Sequence, residues 1–424
     1  MNTTIESLYQ FFISSNGINT DTRSIHEGDL FFALSGENFD GNQYVETALN
    51  KGASHVVSND RTWSNHEQVT VVSNVLKTLQ ELATYHRRIL NIPIIALTGS
   101  NGKTTTKELI ISVLSTQFTV KGTKGNFNNH IGVPLTLLSF DSSVEIGVVE
   151  MGANHMKEIE LLSTIAEPNY GLITNYGKAH LEGFGSVENI KKGKSELFDY
   201  LNASSGTAII GRWDPEQIVR SSNVKQVFTP ENTSIFSEVP FLTFIAQNEL
   251  IKSKLTGSYN YHNALFAYTV GLVMNISQKN IIAGIENYVP KNNRSQIITS
   301  QNTKIILDAY NANPSSMKVA LENLALQKEA NKIAILGDMF ELGDYALEEH
   351  QKMASLAEKL KFQHIYLIGE NFNRTETINS KKFKTKEAFL KSFQFDVDKQ
   401  QVILIKGSRG MGLENILKAM DIKF

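Results

Sequence analysis

The run from Ile94 to Lys107, Ile-Ile-Ala-Leu-Thr-Gly-Ser-Asn-Gly-Lys-Thr-Thr-Thr-Lys, leaves few folds open to this chain. Its first five residues are apolar and partly β-branched, as a buried strand requires. Gly99-Ser100-Asn101-Gly102 then turns sharply, and Leu109, Ile110, Val113 and Leu114 recur at the spacing of one helix face. Strand, glycine turn, Lys-Thr and helix together describe a phosphate cradle. Backbone N–H groups and the helix N-terminus point at an anion, Lys103 adds a charge, and the Thr104 hydroxyl can hold Mg²⁺. The candidate nucleotide-binding residues here are Gly99, Ser100, Asn101, Gly102, Lys103, Thr104 and Thr105. The spacing is shorter than G-x-x-x-x-G-K, whose first glycine would fall where Leu97 stands. A plain surface turn is the alternative, and the flanking strand and helix argue against it.

A chain of 424 residues exceeds one core and should divide into about three domains. The expected divisions are 1–82, 83–293 and 294–424. A formal charge of −2 offers no attraction to nucleic acid or to an anionic membrane. The absence of cysteine excludes disulfides, thiolate metal sites and a cysteine nucleophile. Residues 1–20 show no basic start followed by an apolar run, and nothing approaches 18 consecutive apolar residues. A cytoplasmic protein without membrane insertion is expected.

Before the cradle, Asp29–Leu34, His55–Val57 and Val69–Val72 read as strands of a small α/β unit, with a short helix over Tyr44–Lys51. Its loops hold Asp21, Thr22 and Arg23, then Ser35 and Gly36, then Asp40 and Gly41. Such polar turns at strand ends suit a phosphorylated ligand, with Arg23 as diphosphate partner, and suit ordinary Asx and glycine turns equally well. Residues 74–90 read as a helix leading into the cradle.

After it, Gly125 to Pro134 carries Asn126, Asn128 and Asn129, uncharged amide donors useful beside phosphate and equally at home in a loop. Ile146–Val149 is a buried-strand run ending in Glu150, the expected place for a Mg²⁺ ligand near a phosphate cradle. His180 follows a further strand, Tyr170–Asn175; alone it reads as a structural histidine or a ligand. Val187–Leu201 reads as a helix whose Lys191 and Lys192 form a solvated face. Asn260 and Asn263 open another helix, where they could meet an adenine edge or act as caps. Alternating strands and helices imply a mostly parallel sheet covered on both faces.

The last part follows Pro290-Lys291-Asn292-Asn293-Arg294 and holds strand candidates at 304–307, 333–336, 365–368 and 402–405. A Rossmann-like domain is expected, with ligands at the strand ends. Those ends carry Asp308, Tyr310 and Asn311, then Gly337 to Gly343, then Lys406, Ser408 and Arg409. No G-x-G-x-x-G is present, so these ends suit a small-molecule site facing the central domain, or plain turns.

Taken together, these motifs resemble the Mur ligases, the ATP-dependent amino-acid ligases of peptidoglycan synthesis. TGSNGKTT is similar to the cradle that the family shares with folylpolyglutamate synthase. GNFNNHIGVPLTLL, EMGANHMKEI, DAYNANPSSM, LGDMFELG and KGSRGMGLE are more specific and point to the members that add D-alanyl-D-alanine. The resemblance covers nearly the whole chain. It implies a three-domain α/β fold: a small N-terminal substrate domain, a central P-loop ATPase domain with a mostly parallel sheet, and a C-terminal Rossmann-like domain. It implies ATP and Mg²⁺ as cofactors, UDP-N-acetylmuramoyl-tripeptide and D-Ala-D-Ala as substrates, and a monomer.

By the same resemblance, Lys103 and Thr104 hold ATP phosphates and Mg²⁺. Glu150, His180 and Lys194 join Thr104 around the metal, Lys194 as a carbamate, which turns a cation into an anion. Asn260 and Asn263 approach the base. Asp21, Thr22, Arg23, Ser35, Gly36, Asp40 and Gly41 hold the UDP part, and Asn128 and Asn129 face the substrate. Arg294 and Asp308 serve the nucleotide, and Tyr310, Asn311 and Arg409 the incoming dipeptide, after domain closure. The chain departs from the family pattern at Thr22, Asn42 and Ser258-Tyr259, where Ser, His and x-His are usual. Two other readings of these residues are a different ligase of the superfamily, such as a folylpolyglutamate synthase, and a non-catalytic nucleotide-binding module.

Overall fold

The computed structural model describes residues 4–291, 293–393, 399–420 and 422. Asn292 of the expected linker lies outside the described residues. Three sheets carry the architecture, and a two-stranded ribbon and a small antiparallel sheet are added to them. The expected α/β organisation is what the structure shows.

The first sheet orders Ile18–Asn19, Leu30–Phe32, His55–Ser58 and Val69–Val71, all parallel. The helix Ile5–Ser14, capped by the Thr4 side chain accepting from the Ser7 N–H, packs its Leu8, Tyr9 and Phe12 beneath it. That packing meets the helix Val75–Leu90, which starts on an Asn74 side-chain cap and ends at Asn91 with φ +46. An expected boundary between residues 82 and 83 therefore runs through an unbroken helix. The helix is held to the central sheet as firmly as to the first: buried Arg87 donates to Ala166 O and Asn169 Oδ1, and His86 Nε2 contacts Phe140 O at 2.8 Å. No linker composition marks a division there because none is needed.

Within this unit His55 is buried, lies 2.7 Å from Thr70 Oγ1 and stacks on Phe11. Burial pushes its pKa from the ordinary 6.5 down to about 4. The unfolded chain therefore takes up this proton first as pH falls, and stability is lost between about pH 6.5 and 4. We expect the melting temperature to drop across that window and His55→Gln to flatten the drop; equal slopes for both proteins would count against it.

The central sheet has six parallel strands in the order Lys225–Phe228, Thr207–Ile210, Tyr170–Ile173, Ile94–Thr98, Ile146–Glu150, Val120–Gly122. Strand alternation sends Ile95 and Leu97 to one core and Ile94 and Ala96 to the other. The first core is covered by Lys103–Leu114, Tyr259–Val273 and Gln278–Asn287, the second by Gly132–Leu138, Glu158–Ala166 and Val187–Ala203. The cradle strand sits in the middle, so its carboxyl end opens beside those of both neighbours, the usual ligand position in such sheets. A small antiparallel sheet, Thr233–Ser237, Thr243–Ala246 and Glu249–Lys252, adds Phe244, Ala246 and Ile251 to the first core.

The third sheet orders Gln296–Ser300, Thr303–Asp308, Gln401–Lys406, Asn331–Gly337, His364–Ile368 and Lys381–Phe383. All pairs are parallel except the first, where Gln296–Ser300 runs antiparallel at the edge. The four strands expected here are present. The carboxyl ends of Thr303–Asp308, Asn331–Gly337 and Gln401–Lys406 face the cradle.

Candidate active site

The cradle is built by glycine geometry. Gly102 has φ +78 and caps the helix Lys103–Leu114; a Cβ on it would meet Asn263 Oδ1 at 2.6 Å. Only glycine takes this conformation without strain while letting the helix Tyr259–Val273 come so close. Lys103 Nζ donates to Gly99 O at 2.7 Å, folding the ammonium across the mouth of its own loop. Burial lowers its pKa, against the opposing pull of Glu150.

Thr174, Asn175 and Gly177, absent from the sequence-based candidates, fasten the cradle from the other side. Thr174 Oγ1 and Asn175 Nδ2 donate to Asn101 O at 2.6 and 2.9 Å, and Ser100 Oγ donates to Gly177 O at 2.8 Å. Neither Thr174 nor Asn175 carries a local sequence signal, because the partner lies more than seventy residues upstream.

Glu150 ends its strand in register with Leu97 and is buried. Thr104 Oγ1 donates to its Oε2 and Asn128 Nδ2 to its Oε1, each at 2.9 Å, while its own N–H donates to Thr123 Oγ1. Fully buried Lys107 adds a cation 4.0 Å from Oε2. The carboxylate is thus fixed in direction, and the Thr104 hydroxyl lies against it.

A cavity of about 820 Å³ opens over these groups. Its lining unites Ser100 to Thr105, Asn128, Asn129, Glu150 and His180 with Asn260, Asn263, Arg294, Asp308, Tyr310 and Asn311. Candidates scattered over two hundred residues therefore converge. The third sheet closes over the mouth: Asn313 Nδ2 donates to Asn101 Oδ1 at 2.7 Å, the Lys178 N–H to Ser315 Oγ, and Lys178 Nζ pairs with Glu349 at 3.0 Å.

Several candidates have engagements of their own. Asn260 Nδ2 donates to Thr256 O, Asn263 Nδ2 to Asn260 Oδ1, and Thr106 Oγ1 to Asn263 Oδ1. These amides lock the helix to the cradle while lining the cavity. Asn129 Oδ1 accepts from the Gly132 N–H at the start of the next helix. Asp308 accepts from Lys406 Nζ at 2.5 Å and from the Ser295 N–H. The Arg294 guanidinium lies 3.6 Å from the Tyr310 ring centroid, with Arg409 at 5.2 Å, so two cations share one aromatic face-pair at the closing domain. Ser408 Oγ accepts from the Phe340 N–H.

Lys194 is fully buried, its Nζ without a hydrogen-bond partner and 5.5 Å from the Phe184 ring. Burial first, and then the charge of Lys103, hold its pKa well below the usual lysine value. His180, with φ +55, puts Nδ1 2.6 Å from Glu341 Oε2. Among the described residues no three His, Asp or Glu side chains form a ready metal cluster.

Asp21, Thr22, Arg23, Ser35, Gly36, Asp40 and Gly41 do not line the cavity. Arg23 forks onto Asp21 at 2.7–3.0 Å, and Asp40 accepts from Ser35 and Asn42 at 2.7 Å. Both sets are exposed polar turns on the first domain.

Known proteins match this arrangement along the whole chain. The profile of the Mur ligase family catalytic domain matches residues 14–97, the Mur ligase middle domain 97–271, and the Mur ligase glutamate ligase domain 293–409. The UDP-N-acetylmuramoyl-tripeptide–D-alanyl-D-alanine ligase of Bacillus subtilis is 34% identical, covering 95% of this chain and 92% of its own. Its counterpart in Haemophilus influenzae is 33% identical, covering 96% and 93%. A crystal structure of MurF from Acinetobacter baumannii superposes with a TM-score of 0.86 at 28% identity, over 99% of this chain and 98% of that one. MurF of Thermotoga maritima, solved in complex with ADP, shares the fold with a TM-score of 0.84 at 24% identity, over 97% and 98%.

Proposed function

Because the chain belongs to the Mur ligase family, we propose that it joins D-alanyl-D-alanine to UDP-N-acetylmuramoyl-tripeptide at the expense of ATP. The products are the UDP-linked pentapeptide, ADP and phosphate, a step of peptidoglycan precursor synthesis. One observation carries the reading: a phosphate cradle, a buried carboxylate and the polar strand ends of a closing domain share one cavity.

The triphosphate would lie along residues 99–105, with the Lys103 ammonium released from Gly99 O to meet it. The site fits Mg²⁺ in its donor chemistry. A fixed carboxylate, Glu150, already lies against a hydroxyl, Thr104, and a buried lysine amine, Lys194, is left without a partner. A second anionic donor is supplied if Lys194 is carbamylated, with His180 completing the set. When bound, the metal neutralises charge between attacking and transferring groups.

The terminal carboxylate of the tripeptide attacks the γ-phosphorus, and the bond to the bridging oxygen of ADP breaks. Two anions meet in this step, so the fixed charge of Lys103 lowers its barrier. The amine of D-Ala-D-Ala then attacks the acyl carbon of the resulting acyl phosphate and phosphate departs. An acyl phosphate hydrolyses in water, and closure of the third domain through Asn313, Ser315 and Glu349 excludes it. Arg294, Tyr310 and Arg409 would hold the dipeptide carboxylate. The exposed turns around Arg23 and Asp40 would hold the UDP diphosphate and sugar. One chain supplies all these groups, so the reading calls for no second copy, and a protein acting on these nucleotide-linked precursors would work in the cytoplasm.

A substrate-pair screen read as released phosphate tests the proposal. Release should require UDP-MurNAc-tripeptide and D-Ala-D-Ala together; release with glutamate and a folate acceptor, or none with any pair, would overturn it.

A further inference from the structure

Glu341 stands in the turn that follows the strand Asn331–Gly337 of the third sheet, and His180 in the loop that follows Tyr170–Ile173 of the central one. They meet across the domain boundary, Oε2 to Nδ1, at 2.6 Å, in an orientation that stops short of a hydrogen bond. Both residues have positive φ, +61 for Glu341 and +55 for His180, a region that residues with side chains seldom occupy. The turn is held there by the Glu182 N–H donating to Glu341 O at 3.4 Å. Both side chains line the main cavity. Strained backbone on each side of an interface, aiming two polar groups at one another, indicates a contact retained for use rather than for stability.

We propose that Glu341 is a positioning residue, delivered by domain closure, that orients the His180 imidazole toward the metal-bound nucleotide. The inference rests on the reading of His180 as a metal ligand. From this position a small turn of the ring would let the carboxylate accept the proton of Nδ1, which leaves the Nε2 lone pair free and fixes the ring plane. Here the carboxylate belongs to one domain and the imidazole to the other. In the open protein His180 has no such support, so the metal site is completed only when the third domain has shut out water. Formation of the acyl phosphate then becomes conditional on closure.

The test compares Glu341→Ala, Glu341→Gln, His180→Asn and the double variant Glu341→Ala/His180→Asn. Thermal melts confirm folding. Glu341→Ala should lower kcat about 10- to 100-fold with the KM for ATP within about threefold of the parent, the scale of losing an outer partner of a metal ligand. Glu341→Gln, which keeps an acceptor, should recover part of that loss. On the His180→Asn background, Glu341→Ala should add little. Independently of turnover, the affinity for Mn²⁺ in the presence of ADP and UDP-MurNAc-tripeptide, followed by electron paramagnetic resonance, should weaken in Glu341→Ala. Unchanged kcat and Mn²⁺ affinity in Glu341→Ala, or effects that add fully in the double variant, would overturn the inference. A parent protein inert with both substrates would overturn the ligase reading itself, and is seen before any variant is compared.

Discussion

Replacing Lys103 with alanine should reduce ADP formation by at least about 100-fold, the scale of removing one group aimed at developing charge. The attacking carboxylate and the γ-phosphate are both anionic, and Lys103 is the cradle lysine whose Nζ bridges the loop mouth, 2.7 Å from Gly99 O. Burial lowers its pKa, and an anionic ligand beside it would favour the charged form. The fold should survive, because the cradle is also tied by Thr174, Asn175 and Ser100. Lys103→Arg should fail as well, since a planar guanidinium cannot replace a compact ammonium point charge in the buried loop mouth. ADP release, measured with both substrates alongside a thermal melt, decides the matter. Parental rates from a folded Lys103→Ala protein would show that the cradle does not bind the transferred phosphate.

What could be read in the sequence was whatever chemistry is local. The cradle follows from a strand, a glycine turn and a helix in succession, and Glu150 from a carboxylate at a strand end; both are contained within a few residues. The parallel central sheet followed from alternating strand and helix patterns. Contacts made across long separations were not legible. Thr174 and Asn175 bond the cradle backbone, and no pattern around them announces it. Glu341 lies in LGDMFELG, whose residues point to the family, yet its neighbour His180 belongs to another domain. Asn260 and Asn263 illustrate the opposite limit. At the start of a helix they read equally as adenine contacts or caps, and nothing local reveals that the amides bond Thr256 and each other. The small sheet over Thr233–Lys252 escaped because its short strands, with exposed Ile235 and Phe236, lack a regular alternation.

Lys194→Ala should lower pentapeptide formation roughly 100-fold or more, and short carboxylic acids such as formate or acetate should restore part of it. The side chain is fully buried without a hydrogen bond, a position that disfavours the ammonium and favours the neutral amine. A neutral amine adds to carbon dioxide: the nitrogen forms a bond to carbon, one C=O pair of electrons moves to oxygen, and a proton leaves. A carbamate so formed would carry a negative charge and two acceptor oxygens into a site where Glu150 supplies the buried carboxylate against Thr104. That exchange resolves the unpartnered nitrogen and the shortage of anionic ligands together. In Lys194→Ala the space left open admits a small carboxylate with similar oxygens, which is why rescue is expected there and not in Lys194→Arg. Growth of a bicarbonate-derived carbon-13 signal in the parent, absent from the alanine variant, gives a readout apart from turnover. If no acid restores activity and the parent incorporates no labelled carbon, Lys194 acts as a buried neutral amine and the metal must draw its charge from elsewhere.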